Sequence, residues 1–410
     1  MKRNVPKLRF KGFSDEWKEI KLGEFLTFYS TNSFSRDCLN YEKGDVQNIH
    51  YGDIHMKFPT ILDTEKYSIP YINSDINITK YSEESYCKDG DLVIADASED
   101  YADIGKGIEV CNIGNKKILA GLHTILARDN KQKTVNGFKG YMMQSESVRK
   151  QVKVLAAGAK VVGISKSNLE KVNVKLPTLQ EQERIANFLT KVDKIIEKQE
   201  EKVKNLEKYK KGMMQKIFSQ EIRFKDENGK EYPEWEEKKL GEIAGVIMGQ
   251  SPSSEAYNEN YEGIPLIQGN ADIKLRKTAP RIYTTEITKT CEIGDIIMSV
   301  RAPVGSIGIA DHNCCIGRGV CAIKAKINNN YLYQVLLKKE NKWSSISQGS
   351  TFESINKNDI NGLKIVVPSL KEQEKIADFL TKIDLSSQKE YDKLKELKQW
   401  KRGLLQQMFV

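Results

Sequence analysis

Apolar residues return at alternating spacings of four and three along two stretches of the chain. The first stretch runs Ile185, Leu189, Val192, Ile196, Gln199, Val203, Leu206, Lys210, Met213 and Ile217. The second runs Ile376, Leu380, Ile383, Ser387, Glu390, Leu394, Leu397, Lys401, Leu404 and Met408. This spacing predicts two helices, each with one apolar seam. Thr178-Leu-Gln-Glu181 and Ser369-Leu-Lys-Glu372, each directly after a proline, predict where they begin. In such a capping box the hydroxyl takes an orphan amide and the glutamate reaches back to another. About 40 residues of helix extend roughly 60 Å at 1.5 Å per residue, more than one small domain can cover. The expected arrangement is an antiparallel coiled coil of the two helices, and the plainer alternative lays each on its own domain.

Outside the helices the texture changes to short apolar runs broken by turns. DLVIA from Asp91 and DIIMSV from Asp295 each follow a glycine, and GIPLIQGNADI from Gly263 and LKIVVP from Leu363 are similar. Such runs predict strands of a mixed α/β body with a twisted sheet. The chain also repeats itself. LPTLQEQERIANFLTKVDK from Leu176 returns as VPSLKEQEKIADFLTKIDL from Val367, almost half of the aligned helix positions are identical, and Gly158, Ile164 and Lys166 align with Gly349, Ile355 and Lys357. WKEIKLGEF at Trp17 returns as WEEKKLGEI at Trp235. A period this long marks a duplicated domain pair instead of a solenoid. The fold class expected is therefore α+β: two mixed α/β domains separated by two long antiparallel helices, related by an internal pseudo-twofold repeat. The boundaries read from the sequence are 1–176 for the first domain, 177–220 for the first helix, 221–367 for the second domain and 368–410 for the second helix.

Composition narrows the class without naming a function. The 410 residues are 39% hydrophobic and 30% charged, with a formal net charge of +9. No run approaches the 18 or so apolar residues of a membrane span, and the basic opening MKRNVPKLRFKGF lacks the apolar stretch of a signal peptide. The seven cysteines are odd in number and scattered, which argues against a disulfide framework and for a reducing, cytoplasmic location. A moderate positive charge fits a polyanion partner.

A search for catalysis finds little. Gly158-Ala-Lys-Val-Val-Gly163 starts like a phosphate loop, but Ile164 stands where the lysine belongs. Gly105-Lys-Gly107 and Gly317-Arg-Gly319 lack a third glycine, and there is no Asn-Pro-Pro or Asp-Pro-Pro run of an amino-methyltransferase. His50, His55, His123 and His312 show no metal-ligand spacing, so no metal site is expected. Asp96, Glu99, Asp100 and Asp103 could hold a magnesium ion, which would make the chain a nuclease; the second body has Val300-Arg-Ala-Pro-Val-Gly305 in their place. A non-DNA scaffold bridging protein partners is the other alternative. A binding protein is the better reading, and a repeated basic body suits DNA. Base-edge and phosphate candidates in the first body are Gln47, Asn48, His50, Tyr51, His55, Lys57, Ser98, Tyr101, Lys106 and Lys166. Those in the second are Gln250, Gln268, Asn270, Lys274, Arg276, Arg301, Arg318, Thr351 and Lys357. Asn and Gln pair with adenine and Arg with guanine, while lysines hold phosphates.

The doubled P-[TS]-L-x-E-Q-E-[RK]-I-A-x-F-L-T-K-[VI]-D, the two W-x-x-x-x-L-G-E segments and the loops ending at Lys166 and Lys357 give the chain a resemblance. It resembles, over essentially its whole length, the specificity (S) subunit of a bacterial type I restriction–modification system. The resemblance implies two target recognition domains, each reading half of a bipartite DNA site through the major groove. It implies helices that fix the spacing and dock two methyltransferase (M) subunits, for which Phe188 and Phe379 just off the seam are the candidates. It also implies no catalysis and no cofactor in this chain, S-adenosylmethionine in the M subunits, and ATP and magnesium in two restriction (R) subunits. The first body departs from the family's commoner arginine-glycine loop (Arg301, Gly305) with its Ala95–Asp103 stretch, so base contacts need not match between the halves.

Overall fold

The computed structural model describes residues 4–158, 161–340, 343 and 354–410. They form two compact units: Met1–Glu201 together with Asp392–Val410, and Lys202–Tyr391. The division falls inside both long helices, Leu179–Phe218 and Leu370–Met408. Each unit therefore contains one body and a piece of each helix. Among the described residues no helix is long and apolar enough to cross a membrane.

Each body is built on one buried strand. In the first unit it is Leu92–Ala95, paired antiparallel with Thr124–Asp129 and with Gly107–Cys111. Leu26–Tyr29 and Ile61–Asp63 complete the five-stranded sheet, and a four-stranded sheet carries Lys117–Ala120, Val46–Ile49, Tyr71–Ile72 and Leu39–Asn40. In the second unit the buried strand is Ile296–Ser299, between Val320–Ala325 and Ile307–Ile309 in a six-stranded sheet. Its unbroken apolar run has a simple cause. Ile296 and Met298 face a core shared with the helices, while Ile297 faces a second core with Ile267, Cys314 and Ile316. Both faces are covered, so both must be apolar. The glycines before these strands, Gly90 and Gly294, have φ of +87° and +93°. Only glycine takes that conformation freely. The following aspartates close the turns, accepting from the amides of Lys88 at 2.7 Å and Glu292 at 2.8 Å.

The tryptophan segments and the strands before the helices close each body. Lys18–Lys21 pairs antiparallel with Asn173–Leu176 in the first unit, and Glu236–Lys239 with Lys364–Val367 in the second. The helices pair antiparallel inside each unit. Asp193 meets Lys401 at 2.5 Å and Glu200 meets Lys398 at 2.6 Å in the first. Lys202 meets Glu390 and Lys210 meets Asp384, both at 2.6 Å, in the second. Of the seam residues, Ile185, Leu189, Val192, Ile196, Val203, Ile376, Leu380, Ile383 and Leu394 are buried, and Leu206 and Leu397 are half-buried.

The helix starts differ from the capping-box expectation. The Glu181 amide lies 3.4 Å from the Thr178 hydroxyl, a weak cap, and the Glu181 carboxylate does not reach back. It is buried and takes both arms of Arg9, at 2.7 and 2.8 Å. Glu372 does the same with Arg223, at 3.3 and 3.0 Å, and also accepts from the Trp235 indole at 3.0 Å. The partners come from a second small repeat, Leu8-Arg-Phe10 and Ile222-Arg-Phe224. A buried carboxylate without its guanidinium is a large penalty, while the pair itself is close to neutral. Gln182 and Gln373 use their amides to hold the loops at Lys133–Val135 and Asn328.

Arg9→Ala should therefore lower stability by about 3 kcal/mol. Arg223→Ala should cost less, because the Trp235 indole still serves Glu372. Chemical denaturation of both variants measures the order, and equal or negligible losses would refute it.

Candidate nucleic-acid interface

Strand register decides which loops meet. In the second unit Ser299 lies opposite Val320, Met248 opposite Cys321, and Ile267 beside Ile316. The segments that leave these strands at that end carry Gln250, Gln268, Arg301 and Arg318. Backbone bonds tie them together: Val300 donates to Gly319 at 2.8 Å, Gln250 to Ile316 at 2.8 Å and Gly317 to Ile267 at 2.8 Å. A Cβ at Gly319 would stand 2.1 Å from the Gln268 carbonyl oxygen, so only glycine permits this approach. Arg301 forms an isolated bridge to Ser354, Ile355 donates to Val300 at 2.9 Å, and Lys357 opens the short helix Lys357–Asn361. Gln250, Arg301, Arg318 and Lys357 are exposed, and Gln268 is half-buried. Arg318 donates from Nε to the Ser251 hydroxyl at 3.3 Å, which steadies it.

The first unit has an equivalent end. Thr124 lies opposite Ala95 and Ala120 beside Ile49. His50, Tyr51, Asp96, Ser98, Lys106 and His123 follow or precede these strand ends. Val162–Gly163 pairs with Ala97–Ser98, and the Lys166 amine donates to the Tyr29 carbonyl at 2.9 Å. Tyr51 is ringed by imidazoles, with centroids of His50 at 4.7 Å, His123 at 5.3 Å and His55 at 6.1 Å. His123 Nδ1 lies 3.3 Å from Asp96. Burial raises the Asp96 carboxyl above its ordinary value, against the pull of His123 and Lys166. Burial, with Arg36 nearby, holds His50 below its ordinary value.

Several candidates make contacts within the fold. Asn48 is fully buried and accepts from Asn32 at 2.6 Å, so it presents nothing to a base. His50 is buried and caps the helix Tyr51–Met56, its Nδ1 accepting from the Gly52 amide at 3.1 Å. Ser98 is buried in a loop contact with Asp100 at 2.8 Å. Gln47 donates to the Ile69 carbonyl at 3.2 Å, and His55 Nε2 lies 3.0 Å from the Ala97 carbonyl. The amine of Lys106 donates to the His55 carbonyl at 2.9 Å. Lys57 is exposed but engaged by Tyr41 and Asp53 at 2.7 and 3.2 Å, and Tyr101 donates to the Lys153 carbonyl at 2.6 Å. Arg276, a guanine candidate, is held by Glu340 at 2.5 Å and lies in a hairpin with the exposed Lys274. Asn270 is half-buried in a short turn whose Asp272 takes Arg281 at 2.7 Å. Thr351 and Gly349 lie outside the described residues.

The acidic stretch does not converge. Asp96 serves His123, Asp100 accepts from the Ala102 amide at 2.7 Å, and Asp103 stands 4.0 Å from His55. Among the described residues no group of three His, Cys, Asp or Glu side chains is placed to hold a metal ion. Phe188 and Phe379, the docking candidates, are half-buried. Phe188 packs edge-on against Phe10 at 5.7 Å and Trp400 at 6.4 Å, and Phe379 against Phe224 at 5.8 Å. The sequence reading missed Arg9 and Arg223, for which the LRF/IRF repeat was the available signal, and weighed His123 only as a metal ligand.

A family model described as "Type I restriction modification DNA specificity domain" matches residues 14–208 and 232–399. The chain is 35% identical over 278 residues to the putative type I restriction enzyme MjaX specificity subunit of Methanocaldococcus jannaschii. That match spans 65% of this chain and 65% of the relative's length. A second relative, the MjaVIII specificity subunit of the same organism, is 26% identical over 298 residues, or 66% of this chain and 68% of that one. Among solved structures, the type I restriction–modification system S subunit from M. genitalium aligns with a TM-score of 0.61 at 15% identity, covering 99% of both chains. A chain from a study of complex assembly and conformational transition of the type I R-M system gives 0.58 at 22%, covering 95% of this chain and 96% of that one. These are likenesses of fold.

The His50 shift carries a pH consequence. Its folded value lies below the ordinary 6.5, so the unfolded chain binds the proton more readily. Its contribution is present above about pH 6.5 and is lost as pH falls toward the lowered value. His50→Asn keeps a capping side chain and removes the titration. The fall in thermal midpoint from pH 7.5 to 5.5 should be smaller in this variant than in the natural chain; an equal fall would refute the assignment.

Proposed function

Because the chain belongs to the family of type I restriction modification DNA specificity domains, we propose that it is the sequence-specific DNA-binding specificity subunit of a type I restriction–modification complex. Each unit reads one half of a bipartite target through the major groove. The observation that carries this reading is the gathering, in each unit, of polar loops at one end of its sheets: Gln250, Gln268, Arg301, Arg318 and Lys357 in one, Tyr51, His123 and Lys166 in the other. The second set of loops is basic and exposed, with arginines suited to the O6 and N7 of guanine. Lys357 suits phosphate, which positions without specifying.

The long helices set the spacing of the halves and dock two M subunits, which bind S-adenosylmethionine and methylate adenine. Two R subunits, using ATP and magnesium, add restriction of unmodified DNA, while this chain catalyses nothing. Phe188 and Phe379 contribute to docking, together with exposed apolar residues of the helices. Leu179 and Leu370 hold the same place in the two copies, as do Tyr209 and Trp400, and all four are about half exposed.

Methylated adenines mapped in a host carrying this chain and its M subunit should form a two-part motif. Exchanging residues 15–175 for those of another such protein should change one half and leave the other. A change in both halves would show that the units are not independent readers. Within the second half, Arg301→Ala should relax one position at a cost of about 1–3 kcal/mol, whereas Lys357→Ala should weaken binding to all sequences and lower the salt slope by about one charge. Equal losses on cognate and random DNA for Arg301→Ala would reassign it to phosphate.

A further inference from the structure

We infer that His123 reads an exocyclic amino group, adenine N6 or cytosine N4, in the half-site taken by the first unit, with Asp96 as its positioning residue. The inference rests on the DNA-specificity reading above and deepens it to one residue that the sequence pattern did not single out as a base contact.

His123 lies in the connection from strand Lys117–Ala120 of the four-stranded sheet to strand Thr124–Asp129 of the five-stranded one. Its φ is +51°, in the left-handed region that costs a non-glycine residue about 1 kcal/mol or more. The neighbouring bonds over-determine that conformation. Gly121 donates to Ile49 at 2.9 Å, Tyr51 to Leu122 at 3.4 Å and Asp96 to the His123 carbonyl at 3.0 Å. The Thr124 hydroxyl adds a bond to the Gly121 carbonyl at 2.6 Å. A glycine would sit here without strain. In the second unit, where Val320 opposite Ser299 corresponds to Thr124 opposite Ala95, Gly319 stands at the place of His123; its φ is outside the left-handed region, so the two turns differ in backbone as well as in side chain. The frame does not need an imidazole, so its presence on a strained, well-held turn asks for another reason.

The ring's surroundings supply one. It is half exposed, its edge rests against Tyr51 at an interplanar angle of 81°, and Nδ1 is 3.3 Å from the Asp96 carboxylate. The tautomer that carries its proton on Nδ1, toward the carboxylate, leaves Nε2, among the described residues, as the ring's unengaged polar atom. In the neutral imidazole Nε2 is an acceptor. In the major groove only adenine N6 and cytosine N4 offer donors to such an atom, while guanine and thymine present acceptors and a methyl group. The His123 ring thus presents an acceptor at the end of the unit where the other polar loops converge, with the Asp96 carboxylate beside its other nitrogen.

The test compares the methylated motif of the natural chain with that of His123→Gly, which deletes the ring and suits the left-handed backbone. One position of the first half-site, adenine or cytosine in the natural motif, should lose about fivefold to tenfold of its discrimination, the scale of one hydrogen bond. The second half-site should stay unchanged, which also shows that the variant folds. His123→Gln, whose amide oxygen accepts, should keep part of the preference, and Asp96→Ala should relax the same position to a lesser degree. An unchanged first half-site, or a uniform loss on all sequences, overturns the inference while the DNA-specificity reading stands. Absence of any two-part motif with the natural chain overturns that reading and this inference together.

Discussion

Lys401 and Lys210 hold the same place in the two copies of the repeat, and each ends on the aspartate of the other copy, Asp193 and Asp384. An apolar seam alone does not fix register, because burial is non-directional and a slip of one heptad buries similar area. The two ion pairs supply the missing register. Each aspartate is also bound by its own body, Asp193 by the Tyr141 hydroxyl and Asp384 by the Gln334 amide, both at 2.8 Å. One side chain thereby joins a body, its own helix and the opposite helix. Partly exposed pairs of this kind add only about 1 kcal/mol each, so their value lies in specificity more than in stability.

Because of that pairing, neither body is completed by its own half of the sequence. In the first unit the chain's last helical turns cover the body, with Phe409 against Trp17 at 6.1 Å and Phe138 at 5.6 Å. In the second unit Phe218 of the first helix rests against Tyr331 at 6.0 Å. The repeat in the sequence is thus reciprocal in the structure: each copy's helix ends on the other copy's body. The frame is duplicated faithfully, and the loops it carries are free to differ, as Asp96 and His123 differ from Val300 and Gly319.

The helices, their seam and the strands behind Gly90 and Gly294 were legible in the sequence because short-range pattern determines them. The seam spacing is a local property, and a glycine before an aspartate marks a turn whatever surrounds it. The roles of Glu181 and Glu372 were misread because S/T-x-x-E is also local, while the deciding partner, Arg9 or Arg223, lies far away in the chain. Candidate loop residues fared worst for the same reason. Asn48 and His50 sit in a polar stretch, yet strand pairing with Lys117–Ala120 buries Asn48 and the cap of the helix Tyr51–Met56 takes up His50, and no spacing rule announces that. His123 was not read as a base contact because its significance depends on Asp96 and Tyr51, which only the sheet register brings beside it.

Under the proposed function the paired helices set the spacing of the two half-sites, and the boundary between the units shows how to test it. Lengthening one helix alone would break the register of the Asp–Lys pairs. Matched seven-residue helical insertions after Glu201 and after Tyr391 leave both pairs in place, keep the heptad phase and add about 10 Å of helix. At about 3.4 Å per base pair this amounts to at most about three base pairs. Sequencing the methylated motif of the lengthened chain with its M subunit is the direct measurement. The account predicts both half-sites unchanged and a spacer longer by about one to three base pairs; a methylated motif with the original spacer would contradict it.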